Sequence, residues 1–258
     1  RRSPPVDLNR VRPFTVSDAS DPALETRMAR DGYLYLPGLA PPQAVAAACA
    51  AVAGLLAHEG ILQSGSAATD LVYRGGEPPS RDVLLALHKR LNPLAAFTEL
   101  AEQPAILAVM RTLLGETART HVRRICRVKY PHDPYDVVGP HQDFWYVKGA
   151  EDTYTCWLPL TATSAALGGL AILPGTHLDG TTAHIASDDS RFQGVGGIAP
   201  ASEWAWSEMR AGDALVFHSL TVHGGLPNAS TRVRISVDYR YQREGDAMEE
   251  SHVRPHFE

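Results

Sequence analysis

From His121 onward the chain is built of short β-branched and aromatic runs, divided by Gly, Pro and Asp, with no helix-length segment between them. Runs of this kind form strands, and the pattern predicts them over 121–130, 141–148, 153–160, 169–173, 213–217 and 232–241. Many short strands without intervening helices suit an antiparallel sandwich or jelly roll rather than a parallel sheet. The 179–200 stretch, rich in Gly, Asp and Ser, favours neither strand nor helix.

The first half has a different texture. Residues 1–20 are Pro-, Arg- and Ser-rich and are expected to form an extended or poorly ordered arm. A helix is predicted from Asp21-Pro22 to about Arg30, with Asp21 as its cap and Pro22 at the first helical position. Gly32 to Leu36 reads as a short strand stopped by Pro37-Gly38, and Gln43 to His58 as an Ala-rich helix. Residues 60–79 carry Gly, Ser and Pro and are expected to cross the surface as a loop. Two further helices are predicted, from Ser80 to Leu91 and from Pro104 to Leu114, the second ended by Gly115. The expected organisation is therefore an arm over 1–20 and one domain over 21–258. Its helical part covers about 21–120 and flanks a jelly-roll core over about 121–242. The fold class is mainly β with α.

The 258 residues, 44% hydrophobic and 21% charged, are enough to bury a core without disulfides. Cys49, Cys126 and Cys156 are odd in number and lack C-x-x-C spacing, so free thiols in a reducing, cytoplasmic setting are expected. A net charge of −5 argues against a general nucleic-acid or membrane-surface binder. No apolar run approaches the ~20 residues of a membrane span. Arg123, Arg124, Arg127 and Lys129 are expected on a solvated strand face, with the alternative that one of them lines an active site. The chain starts Arg1-Arg2-Ser3 without Met, so its true N-terminus is expected upstream.

The triplet His141-Gln142-Asp143, followed about 80 residues later by His223, carries the chemistry. Two imidazoles and one carboxylate are the ligand set of non-haem Fe(II) oxygenases, leaving neighbouring positions open for a chelating co-substrate and O2. On a strand, residues i and i+2 share a face, so His141 and Asp143 would reach one ion while Gln142 points away. The plain alternatives are a surface histidine and a strand-edge aspartate. His218 competes with His223 as third ligand. His223 is preferred because Gly224 to Ser230 would turn the chain back so that its strand neighbours the strand of Arg234. Arg232 and Arg234 share a face of the last strand, and either guanidinium suits a bidentate carboxylate. Arg234 takes the lead, and Ser236 could add a hydroxyl to the same anion.

These segments resemble the phytanoyl-CoA dioxygenase family of Fe(II)/2-oxoglutarate-dependent oxygenases. The resemblance rests on Asp31-Gly32-Tyr33-Leu34-Tyr35-Leu36-Pro37-Gly38, His141-Gln142-Asp143, Leu173-Pro174-Gly175-Thr176-His177, Gly212-Asp213-Ala214-Leu215-Val216-Phe217 and His223-Gly224. Together they span residues from about 30 to 242. The resemblance implies a double-stranded β-helix, cupin-like core, with iron on His141, Asp143 and His223. It also implies 2-oxoglutarate chelating the metal, its far carboxylate on Arg234 or Arg232; the offset to the following Ile-Ser favours Arg232. Trp157 matches a position near the co-substrate or is a core aromatic, and His177 is read as structural.

Related iron halogenases replace the carboxylate ligand by Ala or Gly, and Asp143 is present here. Hydroxylation of an aliphatic C–H bond in a small, secondary-metabolite-like substrate, with release of succinate and CO2, is the leading expectation. Desaturation, epimerisation and ring formation are the other outcomes. Phe144, Trp145 and Tyr146 are expected to wall the site or to be core, and the loops at 60–80 and 179–200 are candidate lids. The rival readings are a cupin-type isomerase or lyase indifferent to 2-oxoglutarate, and a binding domain on the same fold.

Overall fold

The computed structural model describes residues 6, 11–133, 139–187, 190–196, 198 and 202–255. In chain order the elements are α1 (Leu24–Asp31), β1 (Tyr33–Leu36), α2 (Pro42–His58), α3 (Arg81–Leu91), α4 (Ala95–Leu100) and α5 (Pro104–Leu114). There follow β2 (Ala118–Thr120), β3 (Ile125–Lys129), α6 (Phe144–Val147), β4 (Tyr154–Pro159), β5 (Leu170–Ile172), β6 (His184–Ser187) and β7 (Ser190–Val195). The chain continues through β8 (Ala214–His218), β9 (His223–Gly225) and β10 (Arg234–Arg243).

The larger sheet runs β1-β8-β4-β10-β2, with β3 also paired to β10, and every pairing is antiparallel. Two small ladders, β5-β9 and β6-β7, lie apart from it. The period-two alternation sorts each strand of the large sheet between two environments. Leu34, Leu36, Cys156, Leu158, Ala214 and Val216 pack with the helices, together with Ile235, Val237, Tyr239 and Tyr241. Tyr33, Tyr35, Trp157, Leu215 and Phe217 point the other way and meet Ile172 of β5. The helices therefore cover one face, and the opposite face looks toward the small sheet. The hydroxyls of Tyr239 and Tyr241 donate to the carbonyls of Phe97 and Ala101, both at 2.7 Å, and so fasten α4 to β10.

β10 is unusual in its inward face. Arg234, Ser236, Asp238, Arg240 and Gln242 are all buried there. Alternation of this kind ordinarily marks a half-solvated strand, but here the polar half lines the interior.

Several expectations need correction. The strand predicted over 141–148 is a single bridge at His141 followed by α6, because Asp143 takes a helical conformation and its carbonyl accepts from Tyr146 and Val147. Local β propensity in Phe-Trp-Tyr-Val is overridden there by tertiary contacts. Of the run 121–130 only Ile125–Lys129 is strand, as β3, and the short β2 lies ahead of it at Ala118–Thr120. α1 begins at Leu24, with Asp21 bonding to the Ala23 amide rather than capping the helix. The helix α4 had no sequence expectation. Residues 60–79 do not merely cross the surface, since Leu62, Leu71 and Tyr73 are buried in the core and Val72 bridges to Arg232. Within 179–200, the described residues include the β6-β7 hairpin. Of the arm, residues 1–5 and 7–10 lie outside the described residues, whereas Arg12 pairs with Ala205, Val16 with Tyr35, and Phe14 is buried. The three cysteines are free, Cys126 and Cys156 fully buried.

Two of the motif segments are locked to one another at Gly32. Its φ is +73°, and a Cβ there would lie 2.4 Å from His177 Nδ1 and 2.6 Å from Thr221 Oγ1. His177 Nε2 bonds to the Ala29 carbonyl, so that histidine packs the first helix against the turn after β5.

Candidate metal and co-substrate site

His141 and His223 are brought together by their backbones. Each donates its N–H to the other's carbonyl, at 2.9 and 3.0 Å, while Ile172 pairs with His223 on the far side. Their rings lie 4.2 Å apart. Asp143 enters from the turn that leads into α6, with Oδ1 3.8 Å from Nε2 of both histidines. These separations fall under the ~4.2 Å that two donors on one ion, each ~2.1 Å from it, can span.

The tautomers follow from the hydrogen bonds. His141 Nδ1 is 2.9 Å from the Gly139 carbonyl and His223 Nδ1 2.9 Å from the Thr221 carbonyl. A carbonyl only accepts, so Nδ1 carries the proton and Nε2 presents its lone pair toward Asp143. Burial holds both imidazoles below their usual pKa, in the neutral form a metal requires. Burial pushes the Asp143 carboxyl up, but the Arg240 charge, the two histidines and the Thr155 hydroxyl outweigh it and leave the group ionised.

A cavity adjoins these three side chains. It is lined also by Arg127, Lys129 and Arg234, by Asp238, and by Trp157, Leu170 and Phe217. The Arg234 guanidinium lies over the Trp157 ring, 5.7 Å from its centroid. Arg127 Nε donates to Asp238 Oδ2 at 2.8 Å. Ser236 Oγ and Asp238 Oδ1 are buried without a hydrogen-bond partner among the described residues. Three cations against two carboxylates make a wall suited to an anion, and a divalent metal would add to that excess.

Other candidates fall elsewhere. Arg232 is exposed and precedes β10, outside the cavity. His218 faces Asp152 at 3.5 Å and Tyr154, in a different cleft from His223. Arg127 and Lys129, expected on a solvated face, line the cavity because the β3-β10 register sets them opposite the inward-facing Ser236 and Arg234. Of the same cluster, Arg124 pairs with Glu102 at 2.8 Å and Arg123 Nε donates to the Ser251 carbonyl. The expected turn after His223 does not join neighbouring strands. β9 pairs with β5 and β10 with β4, so His223 and Arg234 meet across the cavity from two sheets.

Three features had no sequence expectation. Arg240 Nη2 donates to both oxygens of Asp143, at 3.1 and 3.2 Å. Thr155 Oγ1 donates to Asp143 Oδ2 at 2.5 Å. Gln142, the middle residue of the triplet, points away from the metal side as expected but is far from idle. Its amide nitrogen donates to the carbonyls of Gly180 and Leu220, its oxygen accepts from Thr182 N, and its backbone N–H donates to His184 Nε2. Beside it, Trp145 stacks on His184 at 4.7 Å and Tyr146 lies edge-on to His141 at 5.7 Å. Trp145 and Tyr146 are exposed, not core.

A two-histidine, one-carboxylate constellation beside a cationic cavity, on a jelly-roll sheet with helical cover, defines a non-haem Fe(II)/2-oxoglutarate-dependent oxygenase. The profile of the phytanoyl-CoA dioxygenase family (PhyH) matches residues 28–236, and the chain belongs to that family. It is 30% identical over 250 residues to a 1-deoxypentalenic acid 11-beta-hydroxylase of Streptomyces arenae, covering 88% of this chain and 86% of that one. The fold is similar to that of ThoJ, a non-heme monooxygenase, with TM-score 0.66, 19% identity, and coverage of 87% of this chain and 79% of that one. It is also similar to the epimerase SnoN, solved with Fe3+, alpha ketoglutarate and nogalamycin RO, with TM-score 0.64, 24% identity, and coverage of 90% and 88%. Among the described residues no helix is long and apolar enough to cross a membrane.

Proposed function

We propose that His141, Asp143 and His223 hold Fe(II), and that Arg234 receives the distal carboxylate of 2-oxoglutarate with Ser236 Oγ as a second donor. The reaction proposed is hydroxylation of an aliphatic C–H bond in a small, largely apolar organic acid. The observation that carries this reading is the convergence of the three donors beside a cavity whose far wall is the Arg234–Trp157 pair. Iron with the keto acid and O2 supplies the oxidising chemistry when bound.

The protein's own contribution is position and exclusion of water. Two backbone carbonyls hold the imidazoles as Nε2 donors, and the backbone bridge between His141 and His223 fixes the distance between them. Trp157, Leu170 and Phe217 give the cavity apolar walls, which strengthen the pull of Arg234 on a carboxylate by keeping the local dielectric low. Tyr146, edge-on to His141, and Trp145, stacked on His184, offer exposed aromatic surface suited to a hydrocarbon skeleton. The likeness to a 1-deoxypentalenic acid hydroxylase supports both the outcome and the substrate class.

The test is aerobic incubation with Fe(II), 2-oxoglutarate, and 1-deoxypentalenic acid alongside other polycyclic acids. A product heavier by one oxygen, formed one for one with succinate, is expected. A product of unchanged mass would assign epimerisation, and one lighter by two hydrogens ring closure or desaturation. Succinate release no faster than without substrate, across the whole panel, would contradict the reading.

A further inference from the structure

Asp143 is held in an asymmetric way that the family constellation alone does not require. Both histidine Nε2 atoms face Oδ1, so Oδ1 is the oxygen on the metal side. Oδ2 is turned toward β4, where the Thr155 hydroxyl donates to it at 2.5 Å, and Arg240 Nη2 bridges both oxygens from behind. Arg240 is itself 3% exposed, and its Nε and Nη1 find no hydrogen-bond acceptor among the described residues. Among the described residues its anionic partners are Asp143 at 3.1 Å and Asp238 at 4.0 Å. A full positive charge is thus stationed directly behind a metal-facing carboxylate, in a region closed to water.

Building on the iron reading above, we propose that Thr155 and Arg240 make Asp143 a one-oxygen metal ligand, and that the Arg240 charge biases the bound iron toward the ferrous over the ferric state. With Oδ2 engaged by two donors, two-oxygen chelation would require breaking a short, buried hydrogen bond. One-oxygen binding leaves the neighbouring coordination position open for the co-substrate. The charge effect is Coulombic. A nearby cation raises the energy of a trivalent ion more than that of a divalent one, and burial weakens the screening that would hide this in water. Asp238 carries the opposite charge on the same strand face and works in the opposite sense. Arg240 and Thr155 act through Asp143, so they are positioning residues.

The experiment uses the full chain loaded anaerobically with Fe(II), and separately with Co(II). Spectroelectrochemistry of the iron protein reads the ferric/ferrous potential in the native protein, Arg240→Gln, Arg240→Lys and Asp238→Asn. Arg240→Gln should lower the potential and speed air oxidation of the resting ferrous protein several-fold. Arg240→Lys should restore most of the native value, and Asp238→Asn should raise it. Thr155→Val should shift the Co(II) visible spectrum toward higher coordination number while Thr155→Ser retains the native one. An unchanged potential in Arg240→Gln, or in Asp238→Asn should the first fail to fold, overturns the charge role. A native Co(II) spectrum in Thr155→Val overturns the one-oxygen role. Failure of the native protein to bind Fe(II) with 2-oxoglutarate would instead refute the function proposed above, so the two failures are distinct.

Discussion

His141 and His223 form a cross-strand pair, exchanging both backbone hydrogen bonds although about 80 residues separate them in the chain. The distance between the two imidazoles is therefore set by main-chain pairing, not by the side chains. His223→Ala should leave the metal-free unfolding midpoint within a few degrees of native. It should abolish the stabilisation that Fe(II) plus 2-oxoglutarate confers, about 2.7 kcal/mol when the ligand stands at about 100 times its Kd. Thermal unfolding with and without ligands checks this.

Arg234 is buried over Trp157, whereas Arg232 is exposed outside the cavity. Arg234→Ala should raise the 2-oxoglutarate concentration needed for half-maximal binding by about 100-fold, the scale of a lost charge-assisted contact. Arg232→Ala should leave it within about 2-fold. Calorimetric titration of the metal-loaded protein distinguishes the two, and the reverse ranking would reassign the anchor.

Gln142 satisfies two carbonyls and one amide on segments that flank the metal turn, and it is fully buried. Gln142→Ala should cost about 1–3 kcal/mol in urea unfolding, because the abandoned partners stay desolvated. It should also weaken metal affinity, since Gln142 sits between two of the three donors. A variant with native stability and native metal affinity would show that these bonds are dispensable.

Behind Arg240, His121 and His252 lie with Nδ1 atoms 3.2 Å apart, and His121 Nε2 is 2.8 Å from Gln242 Oε1. Burial, then the Arg240 charge, depresses His121 to about 4 and His252 to about 3. Unfolded histidine titrates near ~6.5, so the unfolded chain binds protons first as pH falls. The stability associated with the neutral pair is complete above pH ~6.5 and is lost as pH drops toward ~3, by about 2 kcal/mol for each histidine at pH 5. His252→Leu should flatten that decline in urea unfolding measured from pH 7.5 to 5. An identical slope in the variant would contradict the assignment.

Gly32→Ala should destabilise the fold by more than the ~1–2 kcal/mol of a left-handed backbone, since the new Cβ would meet His177 and Thr221. A neutral substitution in thermal unfolding would mean that the first helix and the turn after β5 can separate freely.

The sequence reading reached the jelly-roll class through the short β-branched and aromatic runs after His121, divided by Gly, Pro and Asp with no helix between them, and the strands form because one face of the large sheet packs on helices. It reached the three metal-side residues because their types and order are chemically distinctive. Asp238 and Arg240 were hidden by the same alternation. A strand reading Arg-Ile-Ser-Val-Asp-Tyr-Arg looks half-solvated until the small sheet is seen to cover its polar face. The α6 turn was hidden because an aromatic run favours a strand locally, whereas long-range bonds of Gln142 to Gly180 and Leu220 and of the Phe144 amide to the Ser219 carbonyl bend the chain. Sheet membership of β9 was also beyond reach, since a Gly-Pro-Asn turn fits either a hairpin or a crossing between sheets.

The most direct measurement is an anaerobic titration of Fe(II) into the protein with 2-oxoglutarate, followed by the visible charge-transfer band of the chelated keto acid. The band should saturate at one iron per chain in the native protein and vanish in Asp143→Ala and in His223→Ala. A native protein that stays colourless, or a variant that keeps full intensity, would contradict the site.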